Sequence, residues 1–105
     1  MATVHVVLFT CGGKTVKGTE MPVPKSIPAY VDTMASSATS AKASINAGSD
    51  WKNAFWSITA SGGNVYARFG TDPTAVTEEG WLILDGQTRE FAVSAASETV
   101  AIKDA

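Results

Sequence analysis

The chain of 105 residues contains one cysteine, Cys11, and one histidine, His5. A single thiol cannot close an intrachain bridge, which excludes a disulfide-stapled scaffold. Charged residues are only 17% of the chain, below the usual quarter, and eight basic residues against ten acidic ones leave a net charge of -2. Lys and Arg form no cluster, so the footprint of a direct nucleic-acid binder is missing. No apolar run is long enough for a membrane-spanning helix. The apolar run 4–9 has no basic segment ahead of it and contains His5, so it is expected to be a strand and not an export signal.

What is abundant is hydrophobic and small. Hydrophobic residues make up 45% of the chain, enough to fill one core without metal or disulfides, and the length fits a single domain spanning residues 1–105. Ala, Ser, Thr and Gly dominate the remainder and suit a surface closely apposed to other subunits.

From Trp51 onward, short β-rich runs recur between turn signals, the spacing of a sandwich or barrel. Residues 53–60 alternate, with Trp56 and Ile58 offset from Phe55 and Ser57, as in a strand with one buried face. Ser61-Gly62-Gly63-Asn64 then reads as a hairpin turn into a partner strand at 65–69, with Gly63 supplying positive φ. Gly70-Thr71-Asp72-Pro73-Thr74-Ala75 reads as a direction-changing loop, because Pro73 has no N–H for a ladder and biases Asp72 away from helical angles. The nearly continuous apolar run 80–84, closed by Asp85-Gly86, predicts a strand covered on both faces. Strands at 88–93 and 99–103 complete five in this half.

Residues 31–46 carry a conflict. Alanine content favours a helix, whereas period-two alternation and the Ser and Thr content favour an extended chain. The expectation is a strand near 39–45, with a short helical turn before it. The N-terminal third predicts a strand at 3–10, a Gly12-Gly13 turn, a short run at Thr15 and Val16, and then a stretch spaced by Pro22, Pro24 and Pro28. Three prolines stiffen the backbone and remove donors, so residues 21–30 are expected to be an extended arm or edge. Residues 1–32 would then be strand and arm, and 33–105 the sandwich core.

Reactive groups are few. His5 and Cys11 stand six apart with nothing nearby to orient the imidazole, so His5 reads as a strand histidine facing solvent or a partner. Gly12-Gly13-Lys14-Thr15 has the tail of a phosphate-binding loop, but Leu8 stands where the first glycine is required and Val16-Lys17-Gly18 is a poor helix start. Asp72, Glu78 and Glu79 are close in sequence without the alternating acidic pattern of a Ca²⁺ loop. No catalytic residue, cofactor or metal site is expected. The aromatic residues Trp51, Trp56, Tyr66, Phe69, Trp81 and Phe91 crowd the β-rich half, where three Trp are hard to bury completely in so small a core. Trp51 and Trp81 are therefore divided evenly between core and interface.

The segment from Thr39-Ser40-Ala41 through Phe55-Trp56-Ser57-Ile58-Thr59-Ala60, the Gly62-Gly63 turn, Val65-Tyr66-Ala67-Arg68-Phe69-Gly70-Thr71-Asp72-Pro73-Thr74-Ala75, and Glu90-Phe91-Ala92-Val93 resembles small β-sandwich virion proteins of tailed bacteriophages. The likeness covers about residues 39–105 and leaves 1–32 without a counterpart. It implies a structural or decoration role in the particle and transfers no catalytic residue. The expectation is thus an all-β, small antiparallel sandwich, jelly-roll-like, with an extended Pro-spaced N-terminal arm. Such a protein would be a homo-oligomer, made in the bacterial cytoplasm and incorporated into the virion. It would bind other virion proteins such as the major capsid protein, with no direct nucleic-acid or membrane partner. The interface candidates are Met21, Val23, Ile27, Tyr30, Trp51 and Trp81, and the structural turns are Gly62, Gly63, Gly70, Asp72 and Pro73. A tail-associated carbohydrate- or receptor-binding module is the alternative.

Overall fold

A computed structural model describes residues 2–10, 30–49, 54–76 and 79–105. They form eight strands and no helix: β1 Thr3–Thr10, β2 Tyr30–Ala35, β3 Ala41–Lys42, β4 Ala54–Ser61, β5 Val65–Gly70, β6 Trp81–Ile83, β7 Thr88–Ala92 and β8 Thr99–Asp104. Two four-stranded antiparallel sheets result, ordered β2-β1-β4-β7 and β3-β8-β5-β6. The expected all-β sandwich is what forms. Consecutive strands change sheet at every step except β1 to β2 and β5 to β6, a jelly-roll-like path.

Alternation explains the packing. Val4, Val6 and Leu8 of β1 and Trp56, Ile58 and Ala60 of β4 project from one sheet. They meet Val65 and Ala67 of β5, Ile83 of β6, and Val100 and Ile102 of β8 from the other. Each large aliphatic chain so buried contributes about 1.5–3 kcal/mol. The first strand therefore sits in the middle of a sheet, between β2 and β4.

Several expectations are corrected. Gly62-Gly63 does not close a hairpin, because β4 and β5 lie in opposite sheets and this turn crosses the sandwich. Positive φ, 93°, occurs at Gly62 and not at Gly63. The crossing is fixed by a second one beside it, from β6 to β7. Gly62 N donates to Asp85 Oδ1 and Asp85 N to Asn64 Oδ1, both at 2.8 Å, while Gly86 N reaches Ala60 O at 2.9 Å. A two-glycine turn is compatible with either topology. The outcome is decided by β1 and β7 occupying both sides of β4.

The run 80–84 is not covered on both faces. Of its residues in β6, only Ile83 is buried, because β6 is the edge of its sheet. In the middle segment, strand pairing along 39–45 is limited to Ala41–Lys42, and no helical turn precedes it. The main strand there is β2, at Tyr30–Ala35, ahead of the expected one. Its inward positions carry half-buried Asp32 and Met34, a weak apolar signal that suffices only because β1 zips against it from Thr3–Ala35 to Leu8–Tyr30. Tyr30 is thus a strand residue and not the end of an arm. The rest of the Pro-spaced arm, the Gly12-Gly13 turn and Cys11 lie outside the described residues.

The loop 70–76 folds over the outer face of the second sheet. Lys42 Nζ meets Asp72 Oδ1 at 2.6 Å and Ala75 N donates to Ser40 Oγ at 2.8 Å, so the loop crosses β8 from β5 toward β3. Pro73 and Ala75 are its buried residues, and Ala101 on the outward side of β8 is buried as well.

Candidate functional site

The edge where β6 and β7 face each other across the sandwich gathers four aromatic residues, Trp56, Phe69, Phe91 and Trp81. Trp56 is wholly buried; its ring lies 6.1 Å from that of Phe69, which is 4.9 Å from Phe91, which is 5.3 Å from Trp81. This tilted series leads from the core to the surface, where Trp81 is 48% exposed. Strand register explains the placement. Trp81 pairs with inward-facing Ala67, and Phe91 with inward-facing Trp56, so both rings point into the gap between the sheets at its open side.

Arg89, also inward on β7, places its guanidinium 5.0 Å from the centre of the Trp81 ring and 5.6 Å from that of Phe91. Its Nη1 donates to Leu82 O at 3.3 Å. One side chain therefore fastens β7 to β6 across the two sheets and holds the exposed indole in a fixed orientation. The sequence carried only a weak signal for this role, an Arg at an alternate position of a strand.

Beside the rings lies a cleft of about 410 Å³ whose lining includes Arg68, Trp81, Phe91, Ser94 and Glu98. Arg68 is paired with Glu79 at 3.2 Å. Leu82, next to Trp81, faces the outer side of the sheet, and it and Leu84 are 40% and 48% exposed. A larger cavity of about 560 Å³ opens elsewhere on the molecule, among Leu8, Tyr30, Ile45, Ala47 and Ala54.

Of the interface candidates, Trp81 and Tyr30 are exposed and line different cavities. Met21, Val23, Ile27 and Trp51 lie outside the described residues. His5 is exposed on β1, with its ring nitrogen 3.2 Å from Thr33 Oγ1. Asp72 and Glu79 are each engaged by a base and are not joined into a site. Lys42, as hydrogen-bond donor and as positive charge, holds the Asp72 carboxyl below its ordinary pKa. Among the described residues, no three His, Cys, Asp or Glu side chains are placed to hold a metal ion, and no helix is long and apolar enough to cross a membrane. Comparison of the chain with protein-family models, with curated proteins and with solved structures finds no match in any of the three.

Proposed function

We propose that the chain is a structural subunit of a bacteriophage particle, a capsid decoration or accessory protein that docks on other virion proteins such as the major capsid protein. The observation that carries this reading is an exposed apolar ridge over an edge strand, with Trp81 at its inner side, Leu82 at its outer side and Leu84 exposed beyond the strand. Three large apolar side chains exposed together at one edge suit a binding role, and Trp is among the residues most often central to protein interfaces. Arg89 supports the reading because an indole already held in place loses little freedom on docking. The resemblance to phage β-sandwich proteins supplies the particle. On this reading the protein is made in the bacterial cytoplasm and ends in the virion, with no catalytic step and no cofactor.

The test is binding of the purified protein to particles assembled without it. Saturable binding is expected, and Trp81→Ala should weaken it by about 30-fold, as for a central interface anchor. Absence of saturable binding overturns the reading; equal binding by Trp81→Ala and Leu84→Ser removes the ridge as the contact. The cleft beside Trp81 and Phe91, with polar Arg68 and Ser94 in its lining, favours a second reading, a tail-associated module recognising carbohydrate or a receptor. Glycan binding abolished by Trp81→Ala would select it.

A further inference from the structure

Four strands form the sheet edges: β2, β7, β3 and β6. Proteins protect such edges by keeping them short or charged, since free N–H and C=O groups invite another strand. β3 has two residues and carries Lys42, β6 has three, and β7 presents Arg89 and Glu90. β2 is the longest of the four and has no charge on its outward face. It runs for six residues without proline, and its only charge, Asp32, points inward and accepts a hydrogen bond from Ser44 N at 2.9 Å.

The phase of the ladder shows which groups are on offer. Ser36 N donates to Ala2 O at 2.8 Å, so the bonded pairs step by two from there through Val4–Met34 and Val6–Asp32 to Leu8–Tyr30. The N–H and C=O of Val31, Thr33 and Ala35 consequently point away from β1. Their side chains share the outer face of the sheet and are exposed. Among the described residues, no backbone hydrogen bond reaches this side of β2.

We propose that β2 is a strand-addition interface between two copies of this chain, paired antiparallel about a two-fold axis through Thr33. An axis normal to the sheet keeps each face on its own side, so facing residues must belong to the same face. Centred on Thr33, the register sets Thr33 opposite its symmetry mate, Val31 opposite Ala35 and Asp32 opposite Met34. Every outward N–H and C=O of Val31, Thr33 and Ala35 then finds a partner, and no like charges meet. Centring on Asp32 would oppose two carboxylates, as would pairing β7 about Glu90. A second copy is the fitting occupant because the register through Thr33 engages all three outward residues of both copies and opposes no like charges. The result joins two four-stranded sheets into one and is independent of the particle reading above.

The test uses the full chain. Sedimentation across micromolar concentrations should show a monomer–dimer equilibrium, and amide exchange at Val31, Thr33 and Ala35 should slow as the dimer fills. Thr33→Lys and Thr33→Glu, each opposing like charges at the axis, should raise the dissociation constant about tenfold or more, and mixing the two should restore the dimer. A monomer at every concentration overturns the proposal. So does a dimer indifferent to both substitutions, or exchange at the three amides that does not respond to concentration. Loss of particle binding with the dimer intact would count against the virion reading alone.

Discussion

The indole Nε1 of Trp56 donates to Glu98 Oε1 at 3.0 Å, with both side chains buried and drawn from opposite sides of the core. The second carboxyl oxygen accepts from Ser94 N at 3.2 Å. Glu98 thus fixes the approach of β8 to β4 and also satisfies the only polar atom of the largest core side chain. Glu98→Ala leaves both donors without their acceptor and should destabilise by about 2–3 kcal/mol. Glu98→Gln, which keeps one acceptor oxygen, should cost less. Urea midpoints of the two variants check this, and an unchanged midpoint for the alanine variant would refute it.

Gly80 and Gly62 both have positive φ, 84° and 93°, but differ in surroundings. A Cβ at Gly80 would stand 2.5 Å from Ala67 O, a backbone atom of the neighbouring strand that cannot withdraw without breaking the ladder. Gly62 is exposed at the sheet crossing. Gly62→Ala should cost about 1 kcal/mol through its positive φ, and Gly80→Ala, with the same strain plus the close backbone contact, clearly more. Thermal unfolding of the pair measures the difference, and equal losses would show that the strand contact adds nothing.

Arg89 stands over two aromatic rings at a solvent-facing edge, where such contacts contribute about 0.5–1 kcal/mol each. Arg89→Ala should cost about 1 kcal/mol and free the Trp81 ring. Steady-state tryptophan fluorescence anisotropy, with Trp51 replaced by Phe and wholly buried Trp56 contributing a constant signal, should fall. An unaltered anisotropy would mean that packing against Phe91 alone holds the indole.

The Lys42–Asp72 pair ties the loop 70–76 to β3 in full solvent. Its sign with pH follows from the lowered Asp72 pKa. The pair stabilises fully above the ordinary carboxylate range near 4, and the contribution disappears as pH falls through the lower folded value. Acid should loosen the loop before it affects the core, and salt should mimic acid because both partners are exposed. Amide exchange at Ala75, whose N–H donates to Ser40, reports the loop in each case. An Asp72→Asn variant with the same acid response would assign that response to another carboxyl.

Particular residues show how far the sequence reaches. The alternation of Trp56 with Phe55 and Ser57, and the apolar run through Val4, Val6 and Leu8, specified strands β4 and β1 almost to the residue, because a buried face repeats every two positions whichever strands lie beside it. The Asp-Pro-Thr-Ala segment likewise specified a loop, since Pro73 forbids a ladder there whatever surrounds it. Partners are another matter. Gly62-Gly63 fits a hairpin and a sheet crossing equally, and only the occupation of both sides of β4 by β1 and β7 selected the crossing. For the same reason Trp81-Leu82-Ile83-Leu84 reads as a covered strand, yet β6 falls at an edge and three of the four side chains face solvent. Periodicity records which face of a strand is buried. Which strand lies beside it, and therefore where the edges, the Trp81 ridge and the open side of β2 fall, is set by hydrogen bonds between residues far apart in the chain and was decided only when the two sheets closed on a common core.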